Sequence, residues 1–85
     1  MVIGEFAKST SFVLRKGYIA FCTSAVKIFS FRTFKNYFLE DYMTMVKDPV
    51  AEVRVKFLQA APIIRPYLEQ DIDLMLKFNN SLNFL

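Results

Sequence analysis

Apolar residues recur at steps of three and four along most of the chain, a spacing that puts them on one face of an α-helix. Over residues 11–29, Leu14, Tyr18, Phe21, Cys22, Ala25 and Phe29 form one stripe, with Lys16, Thr23, Lys27 and Ser30 on the other side. Ser9, Thr10 and Ser11 just before it can each accept a hydrogen bond from a first-turn amide. A second stripe, Phe34, Tyr37, Phe38, Tyr42 and Met45, predicts a helix over 33–46 with Thr33 as its N-cap and Lys47 at its negative pole. A third helix begins at Asp48-Pro49, Asp as N-cap and Pro at the first helical position. Val50, Val53, Phe57, Ala60, Ala61 and Ile64 are its buried stripe; Pro62 predicts a bend, and Pro66 an end or further distortion. A fourth helix starts at Asp71 or Asp73 and carries Leu74, Met75 and Phe78, and Asn79-Asn80-Ser81 breaks its pattern.

A shift of 39 residues superposes the first helix on the third. Lys8-Ser9 falls on Lys47-Asp48, Leu14-Arg15 on Val53-Arg54, Tyr18-Ile19 on Phe57-Leu58, and Ile28-Phe29 on Tyr67-Leu68. Caps coincide with caps and Arg with Arg, so the unit is a helix pair of about 39 residues. In this register residues 1–30 are a partial repeat, with 1–7 the frayed end of a preceding helix. Residues 31–69 are one full repeat and 70–85 open the next. A stack of this kind ordinarily needs about three units to bury its core, so the chain reads as a segment of a longer array.

Composition narrows the reading. Ten Phe, four Tyr and 54% hydrophobic residues exclude a disordered chain, and two Gly with three Pro leave little material for many short strands. There is no His, which removes the commonest general base and metal ligand. Cys22 is the one cysteine; it offers no disulfide and no thiolate metal set, and reads as a small core residue in a reducing compartment. The cytoplasm is the expected location, with the nucleus as the other reducing setting. No uncharged run approaches the length of a membrane span.

The net charge of +3 is unevenly distributed. Residues 1–39 hold six Lys/Arg against Glu5 alone, and residues 40–85 hold five against seven acids. A basic, acid-poor start also fits a cleaved organellar targeting segment, which is the reading from a different class. Arg15, Lys16, Lys27, Arg32 and Lys35 are spread over two helices, as on a solvated face rather than a nucleic-acid stripe. Glu69, Asp71 and Asp73 read as a helix start rather than a metal site. No Gly-rich phosphate loop, catalytic triad or metal constellation is present. The expectation is a protein that is not an enzyme and has no cofactor, metal or catalytic residue.

The stretch Val46-Lys47-Asp48-Pro49-Val50-Ala51-Glu52-Val53-Arg54 resembles the signature of the HEAT-repeat family. In that pattern Asp precedes a Val-Arg pair by five and six positions. The resemblance implies an all-α fold, a HEAT-type α-solenoid fragment of antiparallel helix pairs with about four helices. It implies that Asp48 caps the second helix of its pair and that Arg54 joins a ladder between neighbouring repeats. Arg15 matches in the preceding unit, where Ser9 stands in place of the Asp. Across residues 12–68 the chain is similar to HEAT-repeat scaffold and regulatory subunits of serine/threonine phosphatases of the 2A and 4 types. That likeness implies a non-catalytic scaffold that binds a phosphatase catalytic subunit. Its contact surface would be the turn at 45–50 and outward positions of the third helix: Lys47, Pro49, Glu52, Lys56 and Gln59. The same signature serves adaptors for other partners, such as transport and chromatin factors.

Overall fold

A computed structural model of the chain describes residues 7–82, and those residues are all-helical, with four helical segments and no strand. The first, α1, is Phe12–Ile28. The second, α2, is continuous but changes pitch along its length. It opens with an α turn at Phe31–Phe34, widens to a π turn at Lys35–Leu39, returns to α at Glu40–Thr44 and tightens to 3-10 at Met45–Lys47. The third, α3, is Ala51–Leu68, and the fourth, α4, is Ile72–Ser81. The expected frayed end over 1–7 lies outside the described residues except for Ala7, which packs against the core.

Helix starts follow side-chain chemistry, not always at the expected residue. Ser30, not Thr33, caps α2: its Oγ accepts from the Thr33 N–H at 3.2 Å, so Thr33 already sits in the first turn. Asp71 caps α4 by accepting from the N–H groups of Asp73 and Leu74. Ser11 is the N-cap of α1 but its hydroxyl makes no capping bond, and Ser9 Oγ takes the Ser11 N–H at 3.1 Å instead. At α3 the cap residue is Val50, whose carbonyl accepts from Val53 and Arg54. Asp48 is therefore displaced from the N-cap. Its Oδ1 accepts from the Val50 N–H at 2.9 Å, an Asx turn, and Pro49, expected at the first helical position, lies in that turn before the cap.

The prolines do not end α3. Pro62 and Pro66 lie inside it and the helix continues to Leu68. Each proline deprives the carbonyl four residues earlier of its donor. Those carbonyls belong to Leu58 and Pro62, both exposed, so water can replace the missing N–H. Helix α4 likewise runs through Asn79-Asn80 to Ser81, whose Oγ donates back to the Lys77 carbonyl at 2.8 Å.

Short connections fold each helix back on the one before. Arg15 at the start of α1 meets Asp48 just past the end of α2, while Phe29, past the end of α1, stacks on Phe38 at 5.7 Å. Two reversals bring α3 alongside α1, and these two share the largest contact between elements. The Cα extents are 32 × 30 × 16 Å. Two helix axes about 8–10 Å apart, each with a Cα radius of about 2.3 Å, span roughly 15 Å, so the slab is two helices deep.

The core corrects the expected stripes in detail. From α1 it takes Tyr18, Cys22 and Ala25 as expected, adds Ile19 and Val26, and leaves Leu14, Phe21 and Phe29 partly open. From α2 it takes Phe34, Phe38, Leu39, Tyr42, Met45 and Val46, whereas Tyr37 is 71% exposed. From α3 come Val53, Phe57, Ala60, Ile64 and Leu68, with Val50 and Ala61 only packed against them, and from α4 comes Phe78. An aromatic stack runs through the centre: Tyr42 on Phe57 at 4.5 Å, and Phe57 near Phe78 at 5.9 Å. Such pairs add about 0.5–1.5 kcal/mol beyond their buried area.

Candidate functional site

The polar group with the most hydrogen bonds sits where the start of α1 meets the turn before α3. Asp48, largely buried, holds Arg15 with both carboxylate oxygens: Nε donates to Oδ2 at 2.6 Å and NH2 to Oδ1 at 3.1 Å. This fork-to-fork geometry is the strongest form of side-chain ion pair. The third arm of Arg15, NH1, donates to the Ser9 carbonyl at 2.8 Å. Arg54 makes the same bond one unit later, NH1 donating to the Asp48 carbonyl at 2.5 Å. The two bonds share a six-residue spacing and lie 39 residues apart. They differ in one respect: among the described residues, no carboxylate occupies the fork of Arg54 as Asp48 occupies that of Arg15.

That open fork forms one wall of a surface groove of about 570 Å³. Lys47, Asp48 and Pro49 line one side, and Ala51, Val55 and Leu58 on the outer edge of α3 line the other. Val55 and Leu58 are 51% and 45% exposed. Glu52, Lys56 and Gln59 line a shallower groove of about 270 Å³ with Lys16, on the other side of Ala51 and Val55. The structure thus divides the five expected contact residues between two neighbouring grooves along the first turns of α3. Glu52 is also tied to Lys16 Nζ at 3.2 Å, an exposed pair.

Charge that looked unpaired along the sequence is paired in space. Arg15, Lys16 and Lys35 each reach an acid of the back half, Asp48, Glu52 and Asp71. Lys27 and Arg32 are exposed and lie outside these pairs. The Lys35 ammonium, 3.0 Å from Asp71, and the two first-turn amides hold the Asp71 carboxyl below its ordinary range. Among the described residues no three His, Cys, Asp or Glu side chains gather as a metal site would require. No described helix is long and apolar enough to cross a membrane.

The buried hydroxyls are structural ties. Tyr18 donates to the Phe38 carbonyl at 2.9 Å and Tyr42 to the Phe57 carbonyl at 3.0 Å, and burial raises both phenols above their ordinary range. The carbonyl that Tyr18 reaches belongs to Phe38, inside the π turn. Sequence reading placed both tyrosines in the core without seeing these bonds, because the π turn has no periodic signal. Cys22 is buried and its thiol is pushed up to about 12, chiefly by loss of solvent. It stays protonated and unreactive at neutral pH.

No known protein family, curated protein or solved structure matches the chain.

Proposed function

We propose that the chain is a segment of a HEAT-type helical-repeat scaffold, a non-catalytic module whose work is to hold partner proteins in position. The observation that carries this reading is the pair of equivalent arginine bonds, Arg15 to Ser9 and Arg54 to Asp48, 39 residues apart. A periodic backbone contact of this kind is what stacked units produce when each makes the same bond to itself and to its neighbour. In this register the bridge from Arg15 to Asp48 joins one unit to the next, and the vacant fork of Arg54 is where a following unit would dock its acid. The outward face of α1 fits the same scheme. Val13, Gly17, Ala20, Ser24 and Ile28 are exposed and uncharged at steps of four, three, four and four, a face suited to a neighbouring helix.

The partner implied by the resemblance is the catalytic subunit of a 2A- or 4-type serine/threonine phosphatase, held on the first turns of α3 by Lys47, Pro49, Glu52, Lys56 and Gln59. The mechanism is positioning through surface complementarity, with no bond made or broken by the scaffold. The test is binding of purified 2A- and 4-type catalytic subunits to the immobilised chain. Saturable binding that weakens on Lys56→Glu supports the phosphatase reading. Absence of binding to either subunit contradicts that partner, and would favour an adaptor for a transport or chromatin factor.

A further inference from the structure

A second groove, of about 620 Å³, runs between α2 and α4 and shares Lys47 alone with the proposed scaffold contacts. Leu39, Met43 and Leu74 give it an apolar floor, and Lys35, Lys47 and Lys77 surround it, with Glu40 the acid among its lining residues. We propose that this groove docks an acidic peptide segment of a partner protein, one that alternates carboxylates with apolar side chains.

The lining residues point to that chemistry. The lining carries three ammonium groups against the Glu40 carboxylate, and with Asp71 alongside Lys35 an excess of positive charge remains, which favours an anionic ligand. Lys77 is exposed, and its ammonium makes no hydrogen bond or ion pair with any described residue. Lys35 holds Asp71 through Nζ but stays 43% exposed, and an ammonium has three donors, so it can share itself with an incoming carboxylate. The apolar floor selects a ligand with hydrophobic side chains between its charges, and the unbranched thioether of Met43 adapts to their shape. The groove wall is also where α2 departs from regular geometry. Lys35 and Leu39, the two ends of the π turn, both line it, and π turns recur at binding and catalytic sites because they re-aim side chains at a cost in helix stability. Charge would set the encounter rate and the apolar floor the residence time. None of this depends on the repeat register or on a phosphatase partner.

The experiment uses the full chain and a fluorescein-labelled peptide alternating Glu with Leu, compared by anisotropy with a Lys–Leu counterpart. Lys77→Glu reverses a charge on the groove, and Lys27→Glu makes the same change in net charge at an exposed site outside it. The expected result is binding of the Glu–Leu peptide in preference to the Lys–Leu peptide, weakened about threefold or more by Lys77→Glu and unchanged by Lys27→Glu. Both variants alter exposed residues, and an unchanged urea midpoint checks that each is folded. No binding, no preference between the peptides, or equal weakening by the two variants would overturn the proposal.

Discussion

Asp48 does three things at once: it grips Arg15 with two oxygens, takes the Val50 amide, and offers its own carbonyl to Arg54. The pair is nearly out of water, with side-chain exposures of 13% for Arg15 and 7% for Asp48. Removing one partner strands the other charge, so Asp48→Ala is expected to cost about 2–4 kcal/mol. In a double-mutant cycle with Arg15→Ala, measured by urea unfolding, the two losses should fall short of additivity by about 1–3 kcal/mol. Additive losses would mean the bridge contributes no coupling. Buried titratable groups give a second expectation. Burial raises the Cys22 thiol from 9.0 to about 12 and raises Tyr18 and Tyr42 as well. For groups whose folded value is raised, the neutral form is favoured by folding. That stability is complete below the unfolded value and is lost as pH rises through the folded one. Urea midpoints should therefore fall progressively above about pH 9, with a smaller fall in Cys22→Ala. Equal midpoints across that range would show that these groups are not held neutral.

Among the elements, periodicity made α1, α3 and the start of α4 legible, because stripes at three and four read directly as buried faces. It misassigned Tyr37, which a regular helix places beside Phe34 and Phe38. The π turn at Lys35–Leu39 fits more residues into a turn than a regular helix, a change of period that no residue pattern announces, and Tyr37 lies outward. Pro62 and Pro66 read as breakers, yet Leu58 and Pro62, whose carbonyls they free, are exposed residues, so the rule that prolines end helices loses its force there. The Arg15–Asp48 bridge joins two residues marked as structural in the sequence, but their pairing with each other was not legible there. The pairings of Lys16 with Glu52 and Lys35 with Asp71 were not legible either, since they depend on which helices lie side by side. Helix α1 also carries an element-level prediction. Gly17 sits mid-helix, and a Cβ built there has nothing within 4 Å. Gly17→Ala should raise thermal and urea stability by about 0.5–1 kcal/mol through reduced backbone freedom of the unfolded chain. A loss of stability would mean that the outward face of α1 is already covered by its own chain.

At the scale of the whole molecule, the basic front half and acidic back half become complementary surfaces: three cations of the first two helices reach acids of the last segments. The slab has two open edges, the uncharged face of α1 and the outer edge of α3 with Arg54, Val55 and Leu58. In a closed globular domain such edges are incidental. In a stack they are complementary, since the α1 residues that face α3 occupy the same register as those left open on α3. That claim is tested most directly by inserting a second copy of residues 31–69 after residue 69 and following helicity and urea unfolding. If the chain is a repeat segment, the added pair folds onto the first, Arg15 bridges Asp48 as before, and Arg54 gains the duplicated Asp as its partner. Helicity per residue is then kept, and the unfolding midpoint and its slope both rise, since each new interface adds a nearest-neighbour term and more buried surface. A lower midpoint, or a duplicate that stays unfolded, would contradict the repeat architecture.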